Sequence, residues 1–352
     1  MIRYIPFLKA KLGELTAMGE LSPLVKQVIC PFFDFPRKKP DYDAKAYIET
    51  TRRIVAGLKK HWGANAEFYF DDLDIAQTLT VKGENQYAYA LRAFKGLQVI
   101  PVVTFDRIKH NDVVAQLKRS GEIASNTVAF RAEEGDFEDF DASNDQEYDM
   151  ASVFNEFGAI DLVLDCRVCT GKKLSETAQQ IVEFVRKFCT TFGNVRRVIV
   201  TGSSIPASIR DVLDVNDATT IMRQELEIIS KARALTEYDL IAGDYTTVSP
   251  FYSDAAFKPG VFPKVTAPKL IYSFNHSHYI ARGNSLAAGG HDQYFGIIAE
   301  LSKKAFFRPG NSSGENYFRD KLKRVGKKAT NGAVVKPSVV AHISYMVLGA
   351  KL

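Results

Sequence analysis

Eight short apolar runs recur along the chain, each ending in a polar or charged residue, and all but the last lead into a helix-like stretch. They are Tyr4–Lys11, Val28–Asp34, Phe68–Asp74, Val99–Asp106, Thr127–Glu133, Asp161–Arg167, Val198–Ser203 and Leu240–Tyr245. Their first residues lie 24, 40, 31, 28, 34, 37 and 42 positions apart, room for one strand, one helix and two loops per step. The repeat predicts an α/β chain folded as a (β/α)8 TIM-like barrel, whose polar strand ends gather at one mouth.

A barrel of this kind takes roughly 250 residues, and the chain has 352. The reading is therefore a barrel over residues 1–266 and a C-terminal, β-containing appendage over 267–352. In the appendage, Lys269–Gly283 alternates as a strand or hairpin, Tyr294–Lys304 reads as a helix, and Arg308-Pro309-Gly310-Asn311 as a turn. Tyr317–Lys328 reads as a basic helix or hairpin, and Val334–Leu348, rich in Val and Ile, as a closing strand. Charge divides the same way. Residues 267–352 hold 13 Lys/Arg against 4 Asp/Glu, while residues 1–266 hold 33 against 37. Within the body, Glu133–Asp149 carries nine acidic side chains and no basic one, and reads as an exposed loop.

No apolar run approaches the roughly 18 residues of a membrane span. The N-terminus enters the first strand with no charged leader, and the four cysteines have no regular spacing. Both point to a cytoplasmic protein without a disulfide framework.

Side chains alternate along a strand, so each run offers one face to the barrel interior. The expected inward sets are Ile5, Phe7, Lys9 and Lys11; Cys30, Phe32 and Asp34; Phe68, Phe70, Asp72 and Asp74; and Ile100, Val102, Thr104 and Asp106. They continue with Ala129, Arg131 and Glu133; Val163, Asp165 and Arg167; Ile199, Thr201 and Ser203; and Leu240, Ala242 and Asp244. Most are apolar at the start and polar at the end, as a plugged base and an ionisable mouth require.

The mouth so assembled holds Lys9, Lys11, Asp34, Asp72, Asp74, Asp106, Arg131, Glu133, Asp165, Arg167 and Asp244 as candidate catalytic residues. Its surplus of carboxylates would raise some pKa values or hold a divalent cation, the one cofactor the pattern suggests. With a metal, the cations would grip a phosphate and a carboxylate would activate water, giving a phosphodiesterase-like site. The plainer alternative is a set of ion pairs that plugs the barrel. Thr201-Gly202-Ser203-Ser204 stands where barrels bind phosphate on backbone N–H groups, or else is a strand-to-helix turn with Ser204 as a cap. Cys166 and Cys169 with His276 and His278 form a weak zinc pattern, with Cys166 more naturally packed against a helix. Ser175 reads as the N-cap of the helix that follows. Arg308, Arg319, Lys321, Lys323, Arg324, Lys327 and Lys328, interleaved with aromatic residues, form a candidate binding surface for nucleic acid, for an acidic protein or for the chain's own acidic segment.

Tyr4-Ile5-Pro6-Phe7-Leu8-Lys9-Ala10-Lys11-Leu12-Gly13-Glu14-Leu15 and Ile29-Cys30-Pro31-Phe32-Phe33-Asp34-Phe35 resemble the first two strands of the beta protein family. That family is named for a satellite-phage protein and is spread through phages and bacterial mobile elements. The resemblance extends loosely over the chain, through Pro309-Gly310-Asn311 and His342. It implies a phage-defence or toxin–antitoxin-like setting, with a neighbouring gene encoding a protein partner that this chain restrains or regulates. It brings no catalytic set with it. Two functions therefore stand open: a partner-binding regulator, and a metal-dependent phosphodiesterase or nuclease-like hydrolase acting at the barrel mouth. Neither involves a membrane.

Overall fold

The structure, a computed structural model, describes residues 1–139, 145–252 and 266–350. Thirteen strands, β1 to β13 in chain order, occur among the described residues. The barrel strands are β1 (Tyr4–Lys9), β2 (Phe32–Asp34), β3 (Phe68–Asp71), β6 (Val99–Val103), β7 (Thr127–Glu133), β8 (Ala159–Val168), β9 (Val195–Ser203) and β11 (Leu240–Asp244). They pair in parallel around a closed ring, in the order β1-β11-β9-β8-β7-β6-β3-β2. The expected (β/α)8 barrel is what the chain forms. Beside it, β4 (Thr80–Val81) and β5 (Glu84–Asn85) make a small hairpin. Strands β12 (Lys269–Phe274) and β13 (Ser277–Arg282) make the expected appendage hairpin, and β10 (Asp217–Met222) pairs antiparallel with β13.

The barrel interior is filled by large rings. Phe7 stacks on Phe32 at 4.4 Å and Phe32 on Tyr69 at 5.6 Å, with Ile100, Val102, Val163 and Ile199 completing the cluster. At the base, Asp161 accepts from Tyr69 at 2.7 Å and from Arg196 at 2.6 Å, closing that end with an ion pair. Outside the ring, helices cover the strands through apolar stripes. Ala44–His61 starts where Asp43 accepts from the Ala46 N–H, ends on Lys59, Lys60 and His61, and buries Tyr47, Ile54 and Leu58. Leu174–Phe192 buries Ile181, Phe184, Val185 and Phe188; it begins one residue before Ser175, which is therefore inside the helix and not its cap.

Four expectations need correction. In the third run it is Tyr69 and Asp71, not Phe68, Phe70 and Asp72, that face inward, and in the eighth run it is Ile241 and Tyr245, not Leu240, Ala242 and Asp244. Both runs are apolar on both faces, so alternation carries no information there. The acidic segment is not all loop: Glu134–Asp139 and Asp145–Phe154 are helices, and residues 140–144 lie outside the described residues. Finally, Val334–Leu348 is not a strand but part of the helix Asn331–Leu348, capped by Thr330.

That C-terminal helix packs against Leu12–Glu20 on the outside of the barrel, in the place of an eighth outer helix. Val339, Val340, Ile343 and Met346 join the core shared with Tyr4, Leu8 and Leu15. Its other side, with Val334 and Ala341, packs on Leu270, Tyr272, Tyr279 and Phe318 of the appendage. A helix buried on two sides has no polar face, so its sequence lacks a 3.6-residue rhythm and its β-branched residues suggest a strand. No helix among the described residues is long and apolar enough to cross a membrane.

Candidate functional site

Arg131 stands at the centre of the barrel mouth with none of its surface exposed. Its Nη1 donates to Asp34 at 2.9 Å and Asp71 at 2.8 Å, its Nη2 to Asp165 at 2.6 Å and to the Tyr245 hydroxyl at 2.7 Å. The guanidinium lies 5.2 Å from the Phe32 ring centre. Strands β2, β3 and β8 and the residue that follows β11 thus each deliver an acceptor to one side chain, as the shared polar end of parallel strands allows. A second knot adjoins it: Arg107 pairs with Asp71 at 2.8 Å and Asp72 at 3.3 Å, and His110 lies 3.3 Å from Asp72. Lys9 pairs with Asp34 at 3.6 Å and Asp74 at 3.4 Å and donates to the Pro250 carbonyl at 2.8 Å.

The electrostatics follow from this pairing. Burial alone would raise the Asp71 carboxyl, but Arg107 and Arg131 hold it down at about 2. Asp165 is likewise kept below the usual carboxylate range by Arg131 and Arg167 against the effect of burial. Arg167 has a left-handed backbone (φ 52°) beside a register shift between β8 and β9, which carries its side chain over the mouth toward Glu133 at 3.4 Å and Asp165 at 3.6 Å. The chain after β11 then crosses the opening, with Phe251 4.9 Å from the Arg167 guanidinium and Tyr252 4.6 Å from the Lys9 ammonium.

The structure therefore brings together Lys9, Asp34, Asp74, Arg131, Glu133, Asp165 and Arg167. Asp72 turns outward to Arg107 and His110, Asp106 is exposed and accepts from the Thr104 hydroxyl at 2.6 Å, and Lys11 leaves the ring for an adjoining cleft. Asp71, Arg107, His110 and Tyr245 were missed. Asp71 and Tyr245 belong to the two apolar runs that lack alternation, and Arg107 and His110 lie beyond a strand end, where period two says nothing. The carboxylates Asp34, Asp71 and Asp165 converge on guanidinium groups. Among the described residues, no group of three or more His, Cys, Asp or Glu side chains is arranged to hold a metal ion.

Thr201 is buried, Ser203 donates to the Val248 carbonyl at 3.3 Å, and Ser204 donates to Glu225 at 2.6 Å while accepting from the Gln224 N–H at 2.7 Å. Ser204 thus accepts from the first N–H of a helix twenty residues ahead, Gln224–Ala234. Cys166 packs in the outer core, and Cys166 and Cys169 are free thiols.

Asp244 belongs to a separate buried network between barrel and appendage. It accepts from Tyr4 at 2.6 Å and Arg223 at 2.5 Å, and lies 2.9 Å from His342 Nε2, whose Nδ1 is 2.6 Å from Ser273. Ser273, His342 and Asp244 share the composition of a hydrolytic triad. Each is no more than 2% exposed, the serine is also engaged by His278 at 2.9 Å, and no substrate has access to it. Burial lowers the pKa of both histidines. The network ties two parts of the fold together.

A profile of the Beta protein family matches residues 4–348. The chain belongs to the Beta protein family. No curated protein matches it. Because the match runs from β1 to the end of the C-terminal helix, barrel and appendage both belong to what a Beta protein is.

In this Beta protein the appendage's basic residues separate into two groups. Arg308 is anchored, its guanidinium 4.1 Å from the Tyr345 ring centre and donating to the Ser273 carbonyl at 2.8 Å. Lys321 donates to the Val325 and Lys327 carbonyls, and Arg319 lies 3.7 Å from Asp320. Arg324, Lys327 and Lys328 are exposed around a cavity of about 290 Å³ lined also by Phe295 and Ile298, and the exposed Lys323 lies beside Arg324 in sequence, outside the lining. Arg324 lies 4.5 Å from the Phe295 ring centre, and Lys328 pairs with Asp292 at 2.9 Å.

Proposed function

We propose that this protein is a binding regulator that holds and restrains a protein partner encoded beside it, with the barrel as its rigid scaffold. The observation that carries the reading is the division of charge. At the mouth, Arg131, Arg107 and Lys9 are taken up by Asp34, Asp71, Asp72 and Asp165, whereas Lys323, Arg324 and Lys327 have no carboxylate within ion-pair distance among the described residues. Exposed cations around exposed Phe295 and Val325 suit an acidic protein surface with an apolar centre, the usual make-up of a docking site. Family membership supports the setting of a phage-defence or toxin–antitoxin-like locus. The hydrolase reading needs carboxylates free to bind a cation, and Asp34, Asp71 and Asp165 are engaged by Arg131.

The test is co-expression of the tagged chain with each neighbouring gene product, followed by capture with and without nuclease. One product should co-purify in the presence of nuclease. The combined change Lys323→Glu, Arg324→Glu, Lys327→Glu and Lys328→Glu should abolish capture while leaving the melting temperature unchanged. A chain that stays alone with every neighbour sinks the proposal, and material that is lost on nuclease treatment makes the surface one for nucleic acid.

A further inference from the structure

A cleft of about 710 Å³ opens where the barrel mouth meets the appendage. One wall is the first strand-to-helix turn of the barrel, Lys9–Glu14, and the opposite wall is Lys269, Tyr294 and the start of the C-terminal helix. The loops after β9 and β11 close its ends with Pro206, Val248, Phe251 and Tyr252. Its size is that of small-molecule sites, which are mostly apolar with a few converging polar groups.

Three of the four charged side chains that line it are cationic, Lys9, Lys11 and Lys269, and the fourth is the buried Glu14. Lys11 and Lys269 are exposed into the cleft, and neither has a carboxylate within 4.0 Å among the described residues. The crowding walls lower the pKa of both ammonium groups, and Lys11 adds its repulsion to Lys269. The Lys11 ammonium lies 4.7 Å from the Tyr252 ring centre, so charge and an aromatic face are adjacent. Two helices also start in this cleft, Leu12–Glu20 and Asn331–Leu348. The first has no side-chain cap at Lys11 and carries the buried Glu14 in its first turn, whereas the second is capped by Thr330 and has no acid in its first turn. Helix N-termini favour negative charge, and unneutralised lysines beside them add to the same field.

We infer that this cleft binds a small organic phosphate of nucleotide size, with its phosphates between Lys11 and Lys269 and its ring against Tyr252 and Phe251. Two cations beside one helix amino end that holds no acid suit a group of charge two or more, and the aromatic and aliphatic walls suit a planar ring beyond it. Two like charges in one cleft repel each other without a ligand, so occupation relieves a cost that the empty protein carries. The inference is independent of the partner surface, which lies on Lys323–Lys328 at the other cavity.

The experiment uses the full chain with ADP and, separately, inorganic pyrophosphate as probes, read by titration calorimetry and thermal shift. ADP should bind and raise the melting temperature, and should bind more tightly than pyrophosphate because its ring is used. Lys11→Met and Lys269→Met should each weaken ADP by roughly tenfold or more, the loss of one charge-assisted contact. The double variant should bind no ADP and, without ligand, melt at or above the parent, since repulsion has been removed. Lys59→Met, on the helix Ala44–His61 and outside the cleft, should leave affinity unchanged. The inference is overturned if the parent binds neither probe at millimolar concentration, if the two probes bind equally, or if ADP affinity survives the double change.

Discussion

Arg131 makes its contacts with Asp34, Asp71 and Asp165 where water does not reach. Removing one member of such a cluster strands the others as buried, unpaired charges, which costs about 3–5 kcal/mol. Arg131→Met should therefore lower the unfolding free energy by at least about 3 kcal/mol in urea titration; a loss below about 1 kcal/mol would mean that the carboxylates find water. Glu14 makes a different prediction. It is 2% exposed, accepts the Lys9 N–H at 3.0 Å, and burial pushes its carboxyl from 4.5 up to about 7. The folded chain keeps a proton that the unfolded chain releases, so its contribution to stability falls as pH rises from about 4.5 to about 7. His278 and His342 act in the opposite sense: their pKa values lie below 6.5, so the unfolded chain takes up protons first and stability falls as pH drops below that value. Glu14→Gln keeps the acceptor and removes only the first effect. Relative to the parent, it should gain about 3 kcal/mol between pH 4 and pH 8. Urea unfolding at the two pH values measures it, and an equal offset at both would show that Glu14 does not titrate with folding.

At the scale of the element, much of the barrel was legible because six of its strands bury a clear alternation of side chains. Arg131 on β7 and Asp165 on β8 could be aimed at the mouth from spacing alone. The run Phe68-Tyr69-Phe70-Asp71 could not be oriented, since either face satisfies the core, and with it Asp71 was lost from the site. The C-terminal helix was illegible for the same reason at larger scale: both of its sides are covered, so no polar stripe marks it. Its packing is close. A Cβ on Gly314 would meet the Pro337 carbonyl and come within 2.7 Å of the Ala341 nitrogen. Backbone cannot swing aside as a side chain does, so Gly314→Ala should destabilise by about 1–3 kcal/mol, visible as a lower melting temperature. Gly332→Ala, with nothing within 4 Å of the added methyl, is the matched control. It should be neutral or slightly stabilising, because alanine favours helix by about 1 kcal/mol over glycine.

At the scale of the molecule, the division of the sequence at residue 266 coincides with no clean cut in the structure. The helix Asn331–Leu348 lies beyond that point and covers β1, while β10 lies before it and completes the sheet of β12 and β13. A chain ending at residue 266 would expose the outer core around Tyr4, Leu8 and Leu15. It should elute from size exclusion as aggregate, and a monomeric, cooperatively melting 1–266 fragment would show that the appendage is dispensable.

The placement of β10 also bears on how the chain is made. Asp217–Met222 leaves the ribosome long before its strand partner among the described residues, Ser277–Arg282, has been synthesised. During that interval a strand with open backbone donors and acceptors is available to any passing edge. Fast translation of the stretch between them, or a chaperone that covers the waiting strand, would then decide the yield of native protein more than the barrel does.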